Sequence, residues 1–321
     1  MGGGSWNSDF MNTVVEDRRS KPQQQVFKNT SACDPLMNPF GVTVRESRDS
    51  ADHPESNAVL VVLDVTGSNI HVARRFADGG LVKFMSMLQC GLIPHPQVAF
   101  WATGDVVKGD RSPLQVGQFE SDERIDEWLT RTHLEGGGGG GGEESYDLAL
   151  YFVDRHTAID CFEKRGRKGY CFLIADEMAY LKTRASDIAD VIGSNPETDV
   201  SFVETLRRVR ERYHVFNLYP VPTGRRYEEP FWHEHLGREF VLNVDDGESF
   251  SEVAATVIGL TEGTIDPLNL AEGLTRLEVG QSRTRIVEKA VQPYVTHLLR
   301  QQGGAVSGTV DTSGGPGSER L

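Results

Sequence analysis

Cysteine is scarce in this 321-residue sequence: Cys33, Cys90, Cys161 and Cys171 are scattered and form no C-x-x-C pair. That excludes a zinc ribbon and offers no disulfide framework. Cys90 and Cys171 read as small buried hydrophobes, which suits a reducing, cytoplasmic setting. Long apolar runs are also missing. No stretch reaches the ~18 residues of a membrane span, and no apolar signal segment stands at the amino end, so the expectation is a protein neither membrane-spanning nor exported by a signal peptide. Basic residues are in deficit, 33 Lys and Arg against 47 Asp and Glu, for a net charge of −14. This argues against nucleic-acid binding, which runs on Lys and Arg, and is compatible with binding a divalent cation. Three glycine signatures of catalysis are absent as well. The turn after the first apolar run has no G-x-G-x-x-G, no Gly-Lys-Ser/Thr follows the later glycines, and no G-x-S-x-G nucleophile elbow occurs.

What the sequence does hold is one apolar stretch without polar alternation. Val59, Leu60, Val61, Val62 and Leu63 predict a strand buried on both faces, as in a parallel sheet covered by helices. The run breaks off into Asp64, Thr66 and Ser68, three oxygen-bearing side chains at alternate positions. Alternate residues of extended chain point the same way. Three oxygens can therefore converge on one hard cation beyond the carboxyl end of a strand, where open α/β sheets bind ligands.

Further strands are expected at 98–103, at 114–119 as a short edge, and at 170–175, 214–221 and 238–244. Helices are expected at 69–89 with a bend at Gly79–Gly80, at 122–131 behind Ser121 as N-cap, after Ser145, at 202–212 and at 249–260. The segment 178–200 reads as an inserted helical hairpin or loop. This order predicts a doubly wound α/β fold over 57–262, with a mostly parallel central sheet flanked by helices. Residues 1–56 form a polar arm, ordered if it lies on the main domain. Residues 263–321 hold an amphipathic helix at 284–301, interrupted by Pro293, and a Gly/Ser/Thr-rich tail from 303 expected to be disordered.

Residues 136–142 are seven consecutive glycines, followed by Glu143, Glu144 and Ser145. They read either as a low-complexity linker or as a loop whose backbone passes close to a ligand at φ values only glycine adopts. The strand at 170–175 ends in Asp176, which either caps the next segment or joins Asp64. His233 and His235 stand two apart on a short helix, share no face and lack the H-E-x-x-H spacing, so zinc is not expected there.

Asp64-x-Thr66-x-Ser68, the glycine loop and the strand ending in Asp176, in that order, resemble the metal-ion-dependent adhesion site (MIDAS) of von Willebrand factor A (vWA) domains. The resemblance spans residues 57–262 and implies a Rossmann-like fold with a metal set of Asp64, Thr66, Ser68, Glu144 and Asp176. Thr66 and Ser68 would bind the metal directly, and Asp64 and Asp176 would act through waters or as charge balance. Glu144 stands where the family has Thr, with Ser145 or Glu143 next in line. The implied cofactor is Mg²⁺, or Mn²⁺ or Ca²⁺. The implied partner is a protein offering an acidic residue, with no nucleic acid, no membrane and no catalytic residue. Two other readings stand beside this one. One is a metal-free scaffold of vWA type in a bacterial or phage assembly. The other is a metal-dependent phosphohydrolase using Asp64, although that class has a second Asp where this chain has Thr66.

Overall fold

The structure, a computed structural model, describes residues 4–67, 69–137, 142–221, 228–246 and 249–307, with residues 303–307 described by backbone alone. Ser68 lies outside the described residues, as do 138–141 of the glycine run and the tail from 308.

Six strands form the main sheet: β1 (Asn57–Asp64), β2 (Pro96–Thr103), β3 (Leu114–Val116), β4 (Gly169–Ile174), β5 (Tyr213–Pro220) and β6 (Val241–Val244). Their order is β6-β5-β4-β1-β2-β3, all neighbours parallel except β2 and β3. The chain winds from β1 to one edge, returns to β4 on the other side of β1, and continues to β6. Winding therefore reverses between β1 and β4, which leaves a crevice at their carboxyl ends. This is a doubly wound, mostly parallel α/β fold.

Every residue of β1 is buried. Val59, Val61 and Leu63 join one apolar cluster, and Ala58, Leu60 and Val62 join the other, as the period of two along a strand requires. The first cluster is closed by α1 (Ser8–Arg19), α2 (Ile70–Arg75), α3 (Leu81–Gln89) and α4 (Arg124–Arg131). The second is closed by α5 (Tyr146–Arg155), α6 (Phe202–Arg212) and α7 (Glu229–Leu236). The chain then returns to the first face with α8 (Phe250–Thr261) and α9 (Gln281–Ser307). Among the described residues no helix is long and apolar enough to cross a membrane.

The polar arm lies on the domain and enters its core. Trp6, Met11, Val15, Val26 and Phe27 belong to the first cluster, and Arg45–Ser47 pairs in parallel with Thr157–Ile159. The Arg18 guanidinium donates to both oxygens of Asp126 at 2.7 and 2.6 Å and to the carbonyl of Ala77 at 2.9 Å.

Several local expectations change. The bend at Gly79 is a wide turn over Phe76–Gly80, with Gly79 at φ 135°, a conformation glycine tolerates. Ser121 does not cap α4. Its hydroxyl donates to the Gly4 carbonyl, and Asp122 accepts from the Arg124 amide instead. Residues 238–240 are a 3₁₀ turn before β6, not strand. Within 178–200 only Ala185–Val191 is helical, and short strand pairs flank it: Met178–Ala179 with Glu143–Glu144, and Lys182–Thr183 with Val200–Ser201. Helix α9 runs through Pro293 to Ser307, held by buried Val287, Val291, Tyr294 and Val295.

Arg18→Ala is expected to lower the unfolding free energy in urea by about 3 kcal/mol, because it strands the Asp126 carboxylate in a buried site. Arg19→Ala, on the exposed side of the same helix, should change it by no more than about 0.5 kcal/mol. Equal effects would contradict the arm's place in the core.

Candidate functional site

β1 delivers Asp64 as its last residue, fully buried. Its Oδ1 accepts from the Thr66 amide and the Thr66 hydroxyl, both at 2.8 Å, so the side chain organises the turn that leads into α2. Its Oδ2 accepts from the Tyr146 hydroxyl at 2.5 Å and the Asn69 amide at 3.2 Å. The same Asn69 nitrogen donates to Asp176 Oδ1 at 2.5 Å. The acids at the ends of β1 and β4 thus share one amide group across the crevice where the winding reverses. Burial, then the charges of Asp64, Asp176 and Glu144, push the Tyr146 phenol well above its ordinary range, so it stays a donor.

The pairing of Glu143–Glu144 with Met178–Ala179 carries Glu144 into this neighbourhood. Glu144 is 3% exposed, and its Oε2 has no hydrogen-bond partner among the described residues. Burial pushes its carboxyl up to about 9. The charge of Asp64 adds to this, Lys108 opposes it, and Asp105 and Glu177 contribute further. Lys108 Nζ, from the loop after β2, lies 2.9 Å from Asp105, 3.5 Å from Glu144 and 3.7 Å from Glu177. It also donates to the Glu143 carbonyl at 2.6 Å. Burial disfavours the charge on Lys108, but the Asp105 hydrogen bond and the surrounding carboxylates prevail and raise its pKa.

Of the three candidates after the glycines, only Glu144 faces Asp64 with its side chain. Ser145 Oγ accepts from the Val106 amide at 3.0 Å and turns to Asp105 at 3.4 Å, and Glu143 offers Lys108 its backbone. The described ends of the glycine run sit on the same rim. The Gly67 amide donates to the Gly137 carbonyl at 2.6 Å and the Gly136 amide to the Val65 carbonyl at 3.3 Å. A Cβ on Gly67 would stand 3.0 Å from the Gly137 oxygen. Gly136 and Gly142 have φ of 65° and 76°, the left-handed region that disfavours side chains.

The structure thus brings Asp64, Thr66, Glu144 and Asp176 to one rim, and Ser68 lies outside the described residues. Asn69, Tyr146, Asp105, Lys108 and Tyr180, whose hydroxyl donates to Asp105 at 2.9 Å, belong there too and were not among the expected site residues. Asp105 had a signal, since it follows β2 as Asp176 follows β4. Tyr146 had none. The two helix histidines take part in other contacts: His233 reaches Glu229 at 3.4 Å, and His235 packs on the ring of Phe231.

Among the described residues no group of three or more His, Cys, Asp or Glu is arranged to hold a metal ion. A cation here would rest on hydroxyls plus one acid. Two features fit that donor set. Glu144 Oε2 is a buried acceptor with no described partner, and Thr66 gives its proton to Asp64, which leaves hydroxyl lone pairs for a hard ion.

No protein-family model matches the sequence, and no curated protein matches it. Among solved structures, the chain is similar to the pilus adhesin SpaC from Lactobacillus rhamnosus GG in its open conformation, at 10% identity and TM-score 0.45, over 68% of this chain and 31% of that one. It is also similar to proximal thread matrix protein 1 from the mussel byssus, at 12% identity and TM-score 0.41, over 68% of this chain and 49% of that one. The chain therefore spans about a third to a half of these structures, and at such TM-scores neither likeness bears on what it does.

Proposed function

We propose that this chain is a divalent-cation-dependent, protein-binding module of vWA type rather than a catalyst. Thr66 and Glu144, with Ser68, hold the cation directly, and Asp64 and Asp176 balance its charge. The bound ion supplies a positive centre that a carboxylate of a protein partner can complete, and Mg²⁺ or Mn²⁺ suits oxygen donors of this kind. The observation that carries this reading is the buried Glu144 carboxylate beside Asp64, with one oxygen unmatched among the described residues. A buried acid in that state is costly unless a cation or a proton neutralises it.

Asp64 is a poor nucleophile in this setting. Both its oxygens accept hydrogen bonds, four among the described residues, which weighs against the phosphohydrolase. The metal-free scaffold draws its support from Asn69 and Lys108, which already place an amide and an ammonium among the acids.

Two measurements separate these readings. Mg²⁺ against EDTA should raise the melting temperature, with stabilisation approaching about 2.7 kcal/mol at a hundredfold excess over Kd. The shift should disappear in Asp64→Ala and in Thr66→Val, and its absence from the unsubstituted protein would favour the metal-free scaffold. Lys108→Met removes the resident ammonium, and calorimetric titration with Mn²⁺ should then show binding tighter by about tenfold or more. Unchanged affinity would mean that lysine and metal do not compete for the same acids.

A further inference from the structure

Next to the Asp105–Tyr180 hydrogen bond of 2.9 Å lies a pocket of about 170 Å³, walled by Val106, Val107, Leu148, Tyr180 and Thr183 with Asp147 among them. Lys182 and the Arg184–Asp187 ion pair are also on its lining. It is smaller than the ~300–1,000 Å³ of ordinary small-molecule sites, so it takes a single side-chain terminus rather than a nucleotide. Asp147 stands in the first turn of α5, 3% exposed, and its Oδ1 has no hydrogen-bond partner among the described residues. Leaving such an oxygen unmatched is costly. The other acid of the lining, Asp187, is already served, since it accepts from Arg184 Nε at 2.6 Å. Asp147 has no matching cation of this kind. Burial pushes its carboxyl up to about 7, with Thr183 and first-turn amides pulling the other way and Asp187 adding to the rise.

Apolar walls that end on a buried acid beside an aromatic ring suit one kind of guest. A long basic side chain lays its methylene stem along Val106, Val107 and Leu148 and brings its head to the carboxylate and the Tyr180 ring. A planar guanidinium, with several donors in one fork, serves both better than a compact ammonium. We propose that this pocket receives the guanidinium end of an arginine side chain presented by a protein partner, with Asp147 as its counter-ion. The pocket uses different acids from the cation proposed at Glu144, and Tyr180, which donates to Asp105, stands between the two.

The test is calorimetric titration of the full chain with n-propylguanidinium, beside its neutral isostere n-propylurea. Saturable one-site binding of the guanidinium, with the urea weaker by about tenfold or more, is the expected result. Asp147→Asn should cost about tenfold or more, and so should Val107→Trp, which plugs the mouth from an exposed position without touching Asp147. Melting curves establish that both variants are folded. The proposal is overturned if the unsubstituted chain gives no saturable binding, if urea and guanidinium bind alike, or if both folded variants bind at full strength. Binding that appears only in Lys182→Ala would assign the pocket to the chain's own lysine, and overturns it too.

Discussion

Buried negative charge at the carboxyl edge of the sheet is the constraint on which the rest of this structure depends. Asp64, Asp105, Glu144 and Asp176 are each at most 3% exposed. Carboxylates in such positions need a proton, a counter-ion or a full set of donors. The surrounding residues are chosen accordingly: the Thr66 hydroxyl and Tyr146 phenol on Asp64, the Asn69 amide between Asp64 and Asp176, and the Lys108 ammonium among Asp105, Glu144 and Glu177. Glu144 is the member least provided for, and its burial, with the charge of Asp64 added to it, explains why its proton is held so tightly.

The acids meet because of topology. The chain leaves β1 toward one edge and comes back to β4 on the other side, so the loops after β1 and β4 diverge and open the crevice between them. Lys108 after β2 and Glu143–Glu144 before α5 then line it. Residues 143–144 reach across to pair with 178–179, and glycine at 67 and 136 lets two backbones approach within hydrogen-bonding distance. The amino-terminal arm braces one face of the sheet, where Arg18 ties α1 to α4 through Asp126.

The hydrophobic pattern made the framework legible. An unbroken run such as Val59–Leu63 has nowhere to go but the centre of a covered sheet, and its abrupt end in Asp64 marks the carboxyl edge of that sheet. The short edge strand, the turn at 238–240 and the strand pairs around 178–201 were less legible, because two- and three-residue pairings are set by what lies beside them rather than by local preference. The arm was ambiguous for a related reason: its few apolar residues, Met11 and Val15 among them, become core only when a partner surface is available.

The sequence alone determined the layered α/β class and the position of Asp64 and Asp176 beyond apolar runs, since each follows from short-range pattern, and it left Glu143, Glu144 and Ser145 as alternatives in the glycine loop. The tertiary structure alone decided that Asn69 bridges two acids, that Tyr146 serves Asp64 from a residue 82 positions away, and that Lys108 sits among three carboxylates. The physical reason is that hydrogen bonds and Coulomb forces act over a few ångströms of space. Separation along the chain says nothing of that distance until the sheet has been wound.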